Sequence, residues 1–146
     1  MRIKIIAAAV LSGGVVLVLI TWCALEWSGV ATVNTVASDG ANRATHVWFV
    51  ERDGQLLLEA GTPENGWFVD AQKSLQLRIS QPRGLAGSYA IEPISSRNGH
   101  ARIRASMREK YGLRDWWIGT LFDTSQSVEV RLVPHDLADG GSNSYP

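Results

Sequence analysis

Thr45-His46-Val47-Trp48-Phe49-Val50-Glu51, then Arg52-Asp53-Gly54-Gln55, then Leu56-Leu57-Leu58-Glu59-Ala60: this stretch decides the fold. The first segment is aromatic and β-branched, the composition of a half-buried strand. Asp-Gly supplies the positive backbone angles that a tight hairpin turn demands, and the apolar run after it is the returning strand. The rest of the domain is therefore expected to pair onto a β-hairpin.

Downstream, Gly61-Thr62-Pro63-Glu64-Asn65-Gly66 breaks the pattern, and Trp67–Lys73 suits a short helix. Leu75, Leu77 and Ile79 fall on one face of a further strand. Gln81-Pro82-Arg83-Gly84 turns the chain into another, Leu85–Ile91. From Gly99 the period changes: Ile103, Met107 and Tyr111 recur at four-residue spacing, and Gly112 is a natural helix stop. Arg114–Gly119 reads as a second short helix or turn. Val128, Val130 and Leu132 then alternate in a last strand before Pro134. Five or six short strands with one principal late helix predict a small, mostly antiparallel barrel or α+β domain over residues 44–134.

Upstream, Ile5 to Leu25 runs 21 residues without a formal charge. As a helix it measures about 30 Å, the thickness of a bilayer's hydrocarbon core. It is longer than the apolar core of a secretory signal, about 7–15 residues. Residues 1–27 are thus expected to be an uncleaved single-pass anchor, touching membrane lipid through residues 5–25. Trp22 and Trp27 would lie at the interface. Arg2 and Lys4 on the near side predict a cytoplasmic N-terminus and an external or periplasmic domain. Residues 28–43 read as a linker, or as a first strand around Ala31–Val36 if their β-branched residues pair. Residues 135–146 are too poor in apolar groups to pack and read as a disordered tail.

Setting aside residues 1–27 removes Arg2, Lys4 and Glu26 from a net charge of zero and leaves −1. That balance carries no nucleic-acid signature. Cys23 is the single cysteine, so no intramolecular disulfide forms. His46, His100 and His135 stand far apart with no carboxylate at ligand spacing, and no metal site is expected. Phosphate-binding loops, dinucleotide fingerprints and nucleophile elbows are missing from the sequence. Between Arg97 and Arg114 six bases (Arg97, Arg102, Arg104, Arg108, Lys110, Arg114) face Glu109 alone. This basic run is open to two readings, the solvated side of a helix or a face for anionic ligands. The loop Ala60–Trp67 is the candidate site, because its glycines let a ligand approach the backbone and a helix opens at its end.

The order hairpin, Gly61-Thr62-Pro63-Glu64-Asn65-Gly66-Trp67-Phe68, strand Leu75–Ile79, Arg108-Glu109-Lys110-Tyr111-Gly112 and the closing strand to Pro134 resembles the split β-barrel flavin-binding superfamily. It is most similar to the deazaflavin-dependent nitroreductase and quinone reductase branch, and more distantly to pyridoxamine-phosphate oxidases. The resemblance implies a membrane-anchored oxidoreductase that binds FMN or a deazaflavin and reduces a small or quinone-like acceptor, with homodimers usual. It implies cofactor contacts at Gly61, Thr62, Pro63, Gly66 and Trp67. The family's loop base is missing from Gly61-Thr62-Pro63-Glu64, so Arg78 or Arg83 is expected to meet the phosphate. Asp70 stands where the family usually has asparagine. Trp67 and Tyr111 are stacking or packing candidates, and no catalytic residue is named. The alternative is a non-catalytic, membrane-tethered interaction module that has kept the fold and lost the cofactor.

Overall fold

A computed structural model describes residues 2–26 and 29–135, with side chains placed over 11–23 in the first helix. The elements run α1 (Arg2–Glu26), β1 (Val30–Val36), β2 (Asn42–Arg52), β3 (Gln55–Ala60), α2 (Gly66–Ser74), β4 (Gln76–Gln81), β5 (Gly87–Ile94), α3 (Arg97–Tyr111), α4 (Leu113–Leu121) and β6 (Val128–Pro134). The strands close an antiparallel barrel in the order β1-β2-β3-β6-β5-β4. Residues 136–146 of the expected tail lie outside the described residues.

The hairpin is where the sequence places it. Asp53 and Gly54 take φ of 53° and 71°, turning β2 into β3 with Arg52 opposite Gln55. Residues 30–36 take the strand reading of the 28–43 segment: β1 pairs with β2 from Val30–Trp48 to Val36–Asn42 and closes the ring against β4. Alternation puts Ala31, Val33, Val47, Phe49, Leu58 and Val130 inside the barrel. Trp67, Phe68 and Ala71 of α2 join the same core. Asp70, also buried, accepts a 2.7 Å hydrogen bond from Arg43 Nε and so ties α2 to β2.

A second core lies outside the barrel wall, where Ile103, Met107 and Tyr111 of α3 cover Val50 and Leu57. The two bases flanking Ile103 reach down on either side of it. Arg102 grips Glu129 bidentately at 2.8 and 2.6 Å, and Arg104 bridges Glu59 at 2.7 Å and Asp115 at 2.5 Å. Glu59 and Glu129 stand directly opposite each other on β3 and β6. The basic run is thus neither wholly solvated nor wholly a ligand face; two of its arginines neutralise buried acids. Tyr111 stacks on Trp48 with ring centroids 4.3 Å apart. Its hydroxyl accepts from the Phe49 amide at 3.0 Å and shares its proton between the carbonyls of Phe49 and Gly29. Burial pushes its pKa up to about 12.

The N-terminal region departs from expectation. The apolar run does form α1, yet among the described residues no helix is long and apolar enough to cross a membrane. Its apolar run is interrupted by Ser12-Gly13-Gly14. Its far end is engaged by the domain, since Trp117 Nε1 of α4 donates to Thr21 Oγ1 at 3.1 Å. The expected transmembrane helix, with its cytoplasmic N-terminus and external domain, is corrected accordingly. The α+β barrel part of the expectation is found.

Replacing Arg104 by Met strips Glu59 of its counter-charge and leaves Asp115 only the more distant Arg108, a loss of about 3–5 kcal/mol. Arg108, 75% exposed and 3.9 Å from Asp115, should cost at most about 1 kcal/mol when similarly replaced. Urea unfolding of the two variants checks the contrast. Tyr111 adds a pH dependence. A phenol whose pKa is raised from 10.0 to about 12 in the fold contributes stability that is complete below pH 10 and is lost as pH rises through about 12. Denaturation midpoints of the wild type should therefore fall more steeply across that window than those of Tyr111→Phe.

Candidate functional site

The loop after β3 separates two clefts. The first, about 500 Å³, lies between the start of β2, the end of β3 and the far end of α4. Its apolar walls come from Val47, Trp48, Trp67, Ile118 and Phe122, and Gly61, Thr62 and Asn65 form one lip. Trp48 is rigid there because Tyr111 stacks on its indole. Trp67 is held at 1% exposure by the barrel core. Two ordered tryptophans and two apolar side chains of α4 and its exit make a slot suited to a flat ring.

Polar groups are few but fixed. Glu59 and Arg104 both line this cleft and are bonded to each other. Burial drags the Arg104 pKa down, but Glu59 and then Asp115 outweigh it and hold it above the usual value. Arg104 is thus a permanent cation with both ends of its guanidinium engaged by carboxylates. Thr62, Asn65 and Thr124 offer hydroxyl and amide groups at the rim.

Of the residues singled out from sequence, Gly61, Thr62 and Trp67 come together in this cleft. Pro63 turns to the other side of the loop and lines the second cleft. Gly66, opening α2, lies beneath the Arg43 guanidinium, whose nearest nitrogen would be 3.1 Å from a Cβ there. Arg78 and Arg83 are exposed and line neither cleft. Arg78 sits on β4, which the ring order places across the barrel from β3. Asp70 does not point a bare charge at the loop, because Arg43 holds it. Sequence reasoning named Arg104 only within the basic run and missed Glu59 of β3, as well as Ile118 and Phe122, which reach the cleft through the packing of α4. A buried acid in each of two neighbouring strands is the one signal that could have suggested inward-facing arginines.

Among the described residues no group of three or more His, Cys, Asp or Glu could hold a metal ion. No protein-family model matches the sequence, and no curated protein matches it. Solved structures do resemble the fold. A conserved hypothetical protein from Mycobacterium tuberculosis superposes with a TM-score of 0.55 at 17% identity, covering 81% of this chain and 79% of its own. The heme storage protein HutZ from Vibrio cholerae gives 0.54 at 14% identity, covering 80% and 87%. A candidate pyridoxamine 5'-phosphate oxidase from Listeria innocua gives 0.53 at 17% identity, covering 78% and 90%. At such identities the likeness concerns architecture, and with the six-stranded closed barrel it leads to one conclusion: this chain has the split β-barrel fold of pyridoxamine-phosphate-oxidase-like proteins.

Proposed function

We propose that this protein binds a flat heteroaromatic cofactor, a flavin or deazaflavin, in the cleft between Trp48 and Trp67, and works as an oxidoreductase on a small or quinone-like acceptor. The observation that carries the reading is a slot of about 500 Å³ with two tryptophans in its walls, beside the glycine-containing loop of a split barrel. Such a cofactor supplies the hydride or electron chemistry; the protein positions it and shields it from water. Val47, Ile118 and Phe122 would exclude solvent from the ring. Thr62 and Asn65 would orient its polar edge.

The fit is good for the ring and poor for a phosphate within the same cleft. The guanidinium lining it, Arg104, already satisfies two carboxylates. That observation favours a second reading, a non-catalytic interaction module in which the slot takes no cofactor.

Titrating the full-length chain with riboflavin and with 5-deazariboflavin separates the two. Binding beside Trp48 and Trp67 should quench tryptophan fluorescence, whereas no quenching by either ring leaves only the second reading. Gly61→Val sharpens the test. A Cβ at Gly61 meets nothing within 4 Å, so stability should change by no more than about 0.5 kcal/mol. The added side chain at the lip should nevertheless weaken ring binding about tenfold, an affinity change of about 1.4 kcal/mol.

A further inference from the structure

The second cleft, about 520 Å³, lies across the Gly61–Asn65 loop from the first. Pro63, Phe68 and Val128 give it an apolar floor, and the β5–α3 turn and the segment before β6 supply polar walls. None of its described lining residues is acidic, which sets it apart from the first cleft with Glu59 and Asp123. Into this acid-free space comes Arg97. Arg102, Arg104 and Arg108 of the same helix have carboxylates near them, Lys110 bonds the Phe49 carbonyl, and Arg114 lies over the Tyr111 ring. Among the described residues Arg97 makes no ion pair, hydrogen bond or ring contact, whereas each other base of that segment is engaged in one of these.

His100 follows three residues later on the same helical face. Its Nδ1 is 3.0 Å from the Ser127 carbonyl, which can only accept, so Nδ1 carries the proton. That contact fixes the ring and leaves Nε2 able to take a proton and donate it to an anion. Ser96 Oγ accepts from the Gly99 amide at 3.1 Å and keeps its own proton to donate. The turn holding these groups is rigid: a Cβ at Gly99 would fall 2.7 Å from the Ile94 carbonyl oxygen, so helix and strand meet in close contact.

We propose that this cleft binds a phosphate monoester, with Arg97 gripping two phosphate oxygens and His100, Ser95 and Ser96 donating to the others. Phe68 lies against the organic part. The phosphate has two sources. It is the tail of a ring cofactor seated across the loop, in which case the proposal rests on the ring-binding reading, or it belongs to a separate small phosphate ligand.

The test uses the full-length chain with FMN, riboflavin and inorganic phosphate. Tryptophan quenching reports the ring, and the His100 imidazole resonances report the phosphate. FMN binding at least about tenfold tighter than riboflavin, with the preference lost in Arg97→Ala and riboflavin unaffected, identifies a cofactor tail. Equal binding of the two flavins, with inorganic phosphate shifting His100 in the wild type and not in Arg97→Ala, identifies a separate ligand. If neither flavin binds while phosphate still shifts His100, the ring-binding reading fails and the phosphate site stands. The proposal is overturned if FMN shows no preference and phosphate leaves His100 unmoved, or if Arg97→Ala responds like the wild type. Arg97 is exposed and unpaired, so its removal leaves the fold intact. Arg78→Ala, on the opposite side of the barrel, should change neither response.

Discussion

Two carboxylates facing each other across adjacent strands would push those strands apart, because like charges directly opposite in an antiparallel pair destabilise it. Glu59 and Glu129 are such a pair, Glu129 fully buried and Glu59 with a side chain only 8% exposed. Arg102 and Arg104 make the arrangement stable by bringing a guanidinium to each acid from one helix. Ile103 between them enters the outer core at 0% exposure. This three-residue clamp seats α3 on the barrel at one position, because a sliding helix would strand at least one charge without its partner.

Both clefts inherit their shape from that seating. The C-terminal end of α3 carries Tyr111 onto Trp48, stiffening one wall of the ring-sized slot. Asp115, bonded to the same Arg104, anchors α4, whose Ile118 lines that slot. The opposite end of α3 carries Arg97 and His100 to the acid-free cleft. One electrostatic lock therefore organises an apolar chamber and a cationic one on either side of a single loop.

Much of this was legible beforehand and some was not. The hairpin, the Ile103–Met107–Tyr111 face and the closing strand follow from local periodicity, which needs no knowledge of neighbours; the strand expected over Leu75–Ile79 begins instead at Gln76, with Leu75 exposed at a φ of 55°. Of the loop residues singled out from sequence, Gly61, Thr62 and Trp67 come together at one cleft. Arg78 and Arg83 were chosen for charge and nearness in sequence; strand order sets Arg78, on β4, across the barrel from β3. The apolar stretch before Glu26 reads correctly as helical, but among the described residues no helix is long and apolar enough to cross a membrane.

By itself the sequence determined the strand-rich hairpin architecture, its turn, the late amphipathic helix and the lack of metal-binding or nucleotide motifs. All of these depend on residue type and spacing within a few turns or strands. Only the tertiary structure decided which bases are neutralised and which remains available: Arg97, Arg102 and Arg104 are alike in sequence and differ in their partners. A charge's role depends on the acids and the solvent around it, and those surroundings come from segments tens of residues away brought together when the barrel closes.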